Sequence, residues 1–184
     1  MARRTTEDEL RDYTRLQVRA GLLDEAALLD EVISTIKAEM PGTDATILAR
    51  AWIARARQDL AAVVPSWPTA TDHDRLQAAF AECASHGVPV LQGVADHRYA
   101  RAELDRLSAA GTPPRGVLWF TPPDVWHAID EGMLEVNLVP AAGANAAPGD
   151  PLLNSVLSCL ARHGLSARFD QGRIEVAAHW HSRP

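Results

Sequence analysis

The chain has 184 residues, 47% of them hydrophobic, two cysteines and a formal net charge of −6. That is enough apolar material for one good core, or for a core with a helical appendage, and no apolar run reaches the roughly 18 residues of a membrane span. The acidic balance argues against broad binding to nucleic acid or to an anionic membrane.

Met1 to Asp8 is charged rather than apolar, so no secretory signal is expected. Cys83 and Cys159 fall on apolar helix faces and read as buried, reduced thiols, the pattern of a cytoplasmic protein. The preference for Ala, and for Arg over Lys, is the coding bias of a GC-rich bacterium and carries no functional meaning.

Residues 1–64 are helical by pattern. A first helix from Thr6 to about Ala20 shows a thin apolar face of Leu10, Tyr13 and Val18, and Gly21 breaks it. Asp24 caps a second, with a wide stripe of Leu28, Leu29, Val32, Ile33, Ile36 and Met40. Pro41-Gly42 ends it, and Thr43 opens a third bearing Leu48, Trp52, Ala56, Leu60 and Val63. Two such stripes joined by a tight turn predict an antiparallel hairpin, with Trp52 buried against Ile33 or Ile36. Residues 65–70 hold two prolines in a four-residue run and read as a linker.

From 71 to 184 helices and strands alternate. Asp72 to His86 is a helix with Leu76, Ala79, Phe80 and Cys83 on one face, stopped by Gly87. Val88 to Val94 is a strand candidate, restricted by Pro89 to an edge or to its first residues. Asp96 caps a helix through Ala110. The run RGVLWFTPPDVWHAIDEGMLEVNLVP then reads strand, capped helix, strand: an apolar Gly116 to Phe120, Thr121 as cap with Pro122 at the first helical position, and Leu134, Val136 and Leu138 alternating with polar residues. Residues 140–150 form a small-residue loop expected to be mobile. Pro151 starts a helix buried through Leu153, Val156, Leu157 and Leu160. The end is a hairpin, whose alternation demands a loop of two or four residues around Asp170-Gln171-Gly172. The expected fold class is α+β: a helical arm, then a small mixed sheet of about five strands with covering helices.

The order DHDRLQAAFAECASHGV, RGVLWFTPPDVWHAIDEGMLEVNLVP and LARHGLSARFD with RIEVAAHW resembles a bacterial family catalogued as a domain of unknown function, DUF6891. GLLDEAALLDEVI and the Trp52 helix extend the resemblance over most of the chain. It implies no activity, cofactor or site, because its motifs are structural. Where many relatives carry a His after the second strand, this chain has Thr121-Pro122-Pro123 and keeps only Asp124.

Candidate sites are few. The strand-to-helix junction, with Thr121, Asp124, Trp126 and His127, is the best place for a ligand pocket, since α/β folds bind ligands at strand carboxyl ends. Pro122 and Pro123 remove two backbone donors there, and Asp124 has a sufficient role beside the helix dipole. Arg11, Arg15 and Arg19 form an i, i+4, i+8 stripe, flanked by Arg3 and Arg4, that could meet an acidic protein partner. His179 and His181 share one strand face with Glu175, but lack further ligands in sequence, so no metal and no other cofactor is expected. His97 and Tyr99, beside Asp96 and Arg98, have no nucleophile near them, and His73, His86 and His163 sit at helix ends. No catalytic set is legible, which leaves catalysis open. A non-catalytic binding or protein-interaction module is the leading expectation, and a small-molecule-binding protein or enzyme with its pocket at Thr121–Asp124 the alternative.

Overall fold

The computed structural model describes residues 4–111, 113–141 and 146–184. Arg3, and residues 142–145 of the small-residue loop, lie outside them. The chain divides into two compact units, one of residues 1–68 with 182–184, the other of residues 69–181.

The first unit is three helices, α1 (Thr6–Ala20), α2 (Glu25–Glu39) and α3 (Ala45–Val63). Each begins at a side-chain cap. Thr5 and Asp8 form a reciprocal capping box, Asp24 accepts from Ala27 N at 2.8 Å, and Asp44 accepts from Ile47 N at 3.0 Å. The cap of α3 is therefore Asp44 and not Thr43, whose hydroxyl instead donates to the Met40 carbonyl. One core joins all three helices through Leu10, Leu28, Val32, Ile36, Trp52 and Ile53, with Ile33 packed at its edge. The arm is thus a three-helix cluster and more than a hairpin.

The inward face of α1 also differs from expectation: it carries Leu10, Thr14, Gln17 and Ala20. These buried polar groups are satisfied locally. The Thr14 hydroxyl donates to the Leu10 carbonyl at 2.8 Å, and Gln17 donates to the Tyr13 hydroxyl, which donates in turn to Glu31 of α2. On α3 the buried row is Ala45, Ala49, Trp52, Ile53, Ala56 and Leu60, leaving Val63 exposed. After α3 the prolines of the expected linker shape a 3-10 turn, Val64–Ser66.

The second unit is an α+β fold built on a mixed five-stranded sheet. Its elements are α4 (Asp72–Ser85), β1 (Val90–Leu91), α5 (His97–Ala109), β2 (Gly116–Trp119), α6 (Pro122–Asp130), β3 (Met133–Pro140), α7 (Pro151–Arg162), β4 (Ser166–Asp170) and β5 (Arg173–Ala177). The strand order is β1-β2-β3-β5-β4. Only the β1–β2 pair is parallel. β1 lies at the edge and is just two residues long, as the proline beside it requires.

Alternation sets the two faces of the sheet. Leu134, Val136 and Leu138 of β3, with Ile174 and Val176 of β5, are buried on one side. α7 covers this side so closely that a Cβ at Gly116 would come within 2.8 Å of Leu152 and of the Val139 carbonyl. The other side bears the ion pairs Arg173–Glu135 and Arg168–Glu175. The β4–β5 loop has two residues, Gln171 and Gly172, both at positive φ, the conformation of a tight primed turn.

The C-terminal strand ends earlier than its alternation implies. Beyond Ala177 the backbone leaves the sheet, Ala178 N donates to Gly132 O at 2.9 Å, and Trp180 N donates to Ala128 O at 3.1 Å. The segment after β5 is therefore tied by its backbone to α6 and the turn that follows it. Trp180 is 2% exposed and meets Phe120 and His73 edge-on at 5.8 and 4.6 Å. Burial holds the His73 imidazole below its usual range, because its charged form loses hydration there, and the Asp74 carboxylate offsets this only in part.

Candidate functional site

The strand-to-helix junction places Thr121, Asp124, Trp126 and His127 on the first turns of α6. The Asp124 carboxylate accepts from both the backbone N–H and the hydroxyl of Thr121, each at 2.7 Å. It is occupied in closing its own helix end. Trp126 is half-buried and His127 exposed. None of these four residues lines the cavities described here.

The arginine stripe lies on α1, but it is not a bare cationic row. Arg11 pairs with Glu7 at 2.5 Å and stands over the Trp52 ring at 5.6 Å. Arg15 pairs with Asp12 at 2.8 Å, which Arg4 also approaches at 3.5 Å. Arg19 is half-buried. Together with Arg55 and Asp59 of α3, Arg4, Arg11 and Arg15 bound an open groove of about 650 Å³ over Trp52. Its charges alternate in sign.

His179 and His181 stack with ring centroids 5.3 Å apart and planes 9° from parallel. The His179 ring lies on Gly132, where a Cβ would approach within 2.6 Å. Glu175, the third group read on that face, is engaged by Arg168 at 2.7 Å.

The group of chemical interest lies elsewhere, between α4 and α7. Both helices start at firm caps, Thr71 with Asp74 and Asp150 with Leu152 N. Both then present an apolar stripe to the other: Leu76, Ala79, Phe80 and Cys83 from α4, and Leu152, Leu153, Val156, Cys159 and Leu160 from α7. The stripes carry one cysteine each, 4% and 3% exposed. The Cys159 thiol donates to the Ala79 carbonyl at 3.5 Å. Burial pushes the Cys83 thiol up to about 12 and raises Cys159 as well. Both are neutral thiols, so neither is an activated nucleophile.

At the margin of the stripes Glu82 collects Arg162 on one carboxylate oxygen and His163 Nε2, at 2.7 Å, on the other. The hydrogen bonds from Arg162 and then His163 lower its carboxyl to about 2. Since a carboxylate only accepts, Nε2 carries the imidazole proton in this arrangement.

Above the thiols opens a recess of about 410 Å³. Val88, Leu152 and Val156 supply apolar walls, and Arg115, Arg162 and His86 the basic ones. Arg115 makes no ion pair among the described residues. A second recess, of about 430 Å³, lies on the opposite side of the sheet between α5 and β3, with His97, Arg101, Trp119 and Asn137. The Trp119 indole N–H is buried without an acceptor among the described residues.

Sequence reading passed over Glu82, Arg115 and Arg162, read Cys83 and Cys159 as the buried free thiols they are, and placed His163 only as a helix-end residue. One local signal was available: Cys159 and His163 stand four apart on a helix, and so project from one face.

The family model described as Domain of unknown function (DUF6891) matches residues 3–184, and the chain belongs to that family. No curated protein and no solved structure matches it. No helix among the described residues is long and apolar enough to cross a membrane.

Proposed function

We propose that this member of the DUF6891 family is a bacterial, cytoplasmic and non-catalytic binding module, whose α+β unit takes a small organic anion into the recess between α4 and α7. The observation that carries this reading is the recess itself, with apolar walls and an unpaired Arg115 guanidinium on its rim. Its volume of about 410 Å³ is in the range of small-ligand sites. Arginine offers a planar fork of donors that suits a carboxylate. The absence of an activated nucleophile at the two protonated thiols favours binding over covalent chemistry.

The test is a thermal-shift panel of aromatic and aliphatic monocarboxylates. At least one should stabilise the parent chain, and Arg115→Glu should weaken that ligand by roughly 10–100-fold, the value of about 1.5–3 kcal/mol for a charged hydrogen bond. Arg98→Glu, on α5, should not. If no carboxylate stabilises the parent, or both variants respond as the parent does, this reading fails.

The groove over Trp52 favours a second reading, in which the helical unit docks another protein. Its ring of arginines and aspartates can exchange its internal pairs for those of a segment carrying both signs, around an aromatic floor. Pull-down from the native host should then recover a partner that Arg15→Glu releases and Asp124→Asn retains. Equal retention by both variants would exclude the groove.

A further inference from the structure

Glu82, Cys159 and His163 each offer a donor atom within 4.8 Å of the others. Among the described residues this is the group with such proximity. One sulfur, one imidazole nitrogen and one carboxylate oxygen therefore converge from two helices.

The donor types are selective. One cysteine, one histidine and one carboxylate supply three corners of a tetrahedral set suited to zinc and its close analogues, with the fourth left to water, while calcium and magnesium prefer all-oxygen shells. With bonds of about 2.0–2.3 Å, tetrahedral donors stand roughly 3.3–3.8 Å apart. The cluster needs only about an ångström of contraction, by rotation of side chains whose backbones are already fixed in α4 and α7. Charge also balances. One thiolate and a carboxylate bring two negative charges, against the ion's two. Glu82 can give the oxygen now facing His163 to an ion while Arg162 keeps the other, the kind of supporting contact that orients a metal-bound carboxylate. The recess provides a way in, because Glu82, Cys83 and Cys159 all line it.

Other uses of these groups fit less well. A nucleophilic cysteine needs its base on the sulfur, yet His163 Nε2 faces Glu82, and the Cys159 thiol faces the Ala79 carbonyl. The stacked His179 and His181 rings bring no sulfur and no free carboxylate.

We infer that Glu82, Cys159 and His163 form a binding site for one thiophilic divalent cation of the zinc class, clamping α4 to α7. This inference is independent of the anion reading, since cation binding is measured with no organic ligand present.

The test is titration of the reduced, metal-free full chain with cobalt(II) alone, followed by zinc(II) as competitor. Cobalt should bind at one equivalent, with thiolate-to-metal charge-transfer absorption and the intense visible bands of a tetrahedral site, and zinc should abolish both. His163→Gln and Cys159→Ser should each weaken cobalt by about 100-fold or more, at or beyond the cost of losing a supporting contact. His163 is half-buried at the end of α7, so its variant should melt like the metal-free parent. A double variant with His179→Gln and His181→Gln should bind like the parent. Absence of charge-transfer absorption in the parent overturns the site. So does an unchanged titration in His163→Gln, and so does a titration lost only in the double variant.

Discussion

Trp180→Ala should destabilise the α+β unit by about 3–5 kcal/mol, the usual cost of deleting a buried tryptophan. The residue is four places from the chain end, yet it is among the largest fully buried side chains. Its ring stands edge-on to both Phe120, just past β2, and His73, on α4, so one side chain ties three elements together. The backbone bond from Trp180 N to Ala128 O survives the substitution, so the loss isolates the ring. For a chain of this length the melting midpoint should fall by roughly 6–20 °C. Trp180→Phe, which refills much of the cavity, should recover more than half of that. Circular dichroism is the proper readout, because fluorescence would change with the loss of an indole alone. A midpoint within 2 °C of the parent, about the effect of a surface substitution, would show that the chain end is not part of the core.

Trp180 also shows what local sequence could reveal. The alternation of Ile174, Val176, Ala178 and Trp180 named the correct buried parity, and all four are buried. It could not show that the strand ends at Ala177, since a side chain keeps its facing when backbone bonds pass from a strand partner to a helix carbonyl. Caps were legible at Asp24, Asp96, Thr121 and Asp150 because each acts within three residues of itself. Thr43 and Asp44 are both good caps, and only the phase of α3 distinguishes them. Parity, which is likewise local, narrowed the hairpin loop to two or four residues, and the structure has two.

The donor cluster was out of reach for the opposite reason. Glu82 and Arg162 are 80 positions apart, and they meet only because two amphipathic stripes choose each other. Each stripe announces that it will be buried, but neither says against what. The arginine stripe on α1 illustrates a different gap. Spacing aligned Arg11 and Arg15, and the same helical spacing gave them Glu7 and Asp12 as partners. A charge row read without its neighbours overstates the field that it projects.

In the helical unit, Trp52→Ala should cost about 3–5 kcal/mol as well. Trp52 is 8% exposed and packs with Leu10 of α1, Val32 and Ile36 of α2 and Ile53 of its own helix. Three short helices have little core to spare, since a small unit buries a smaller fraction of its surface than a large one. The substitution also removes the ring beneath Arg11, a contribution of about 0.5–1 kcal/mol at an exposed site. Arg11→Gln removes that contact and the Glu7 pair while leaving the core intact, so it should cost no more than about 1–1.5 kcal/mol. The ratio between the two variants is the informative quantity. If Trp52 serves chiefly as an aromatic platform for the arginine, the two losses will converge; if it is the keystone of three helices, Trp52→Ala will exceed Arg11→Gln by at least about twofold. Hydrogen exchange should place the loss of protection of Trp52→Ala within α1, α2 and α3 and leave β2, β3 and β5 as protected as in the parent. Protection lost evenly across both units, or a melt unchanged by Trp52→Ala, would contradict the packing described for this unit.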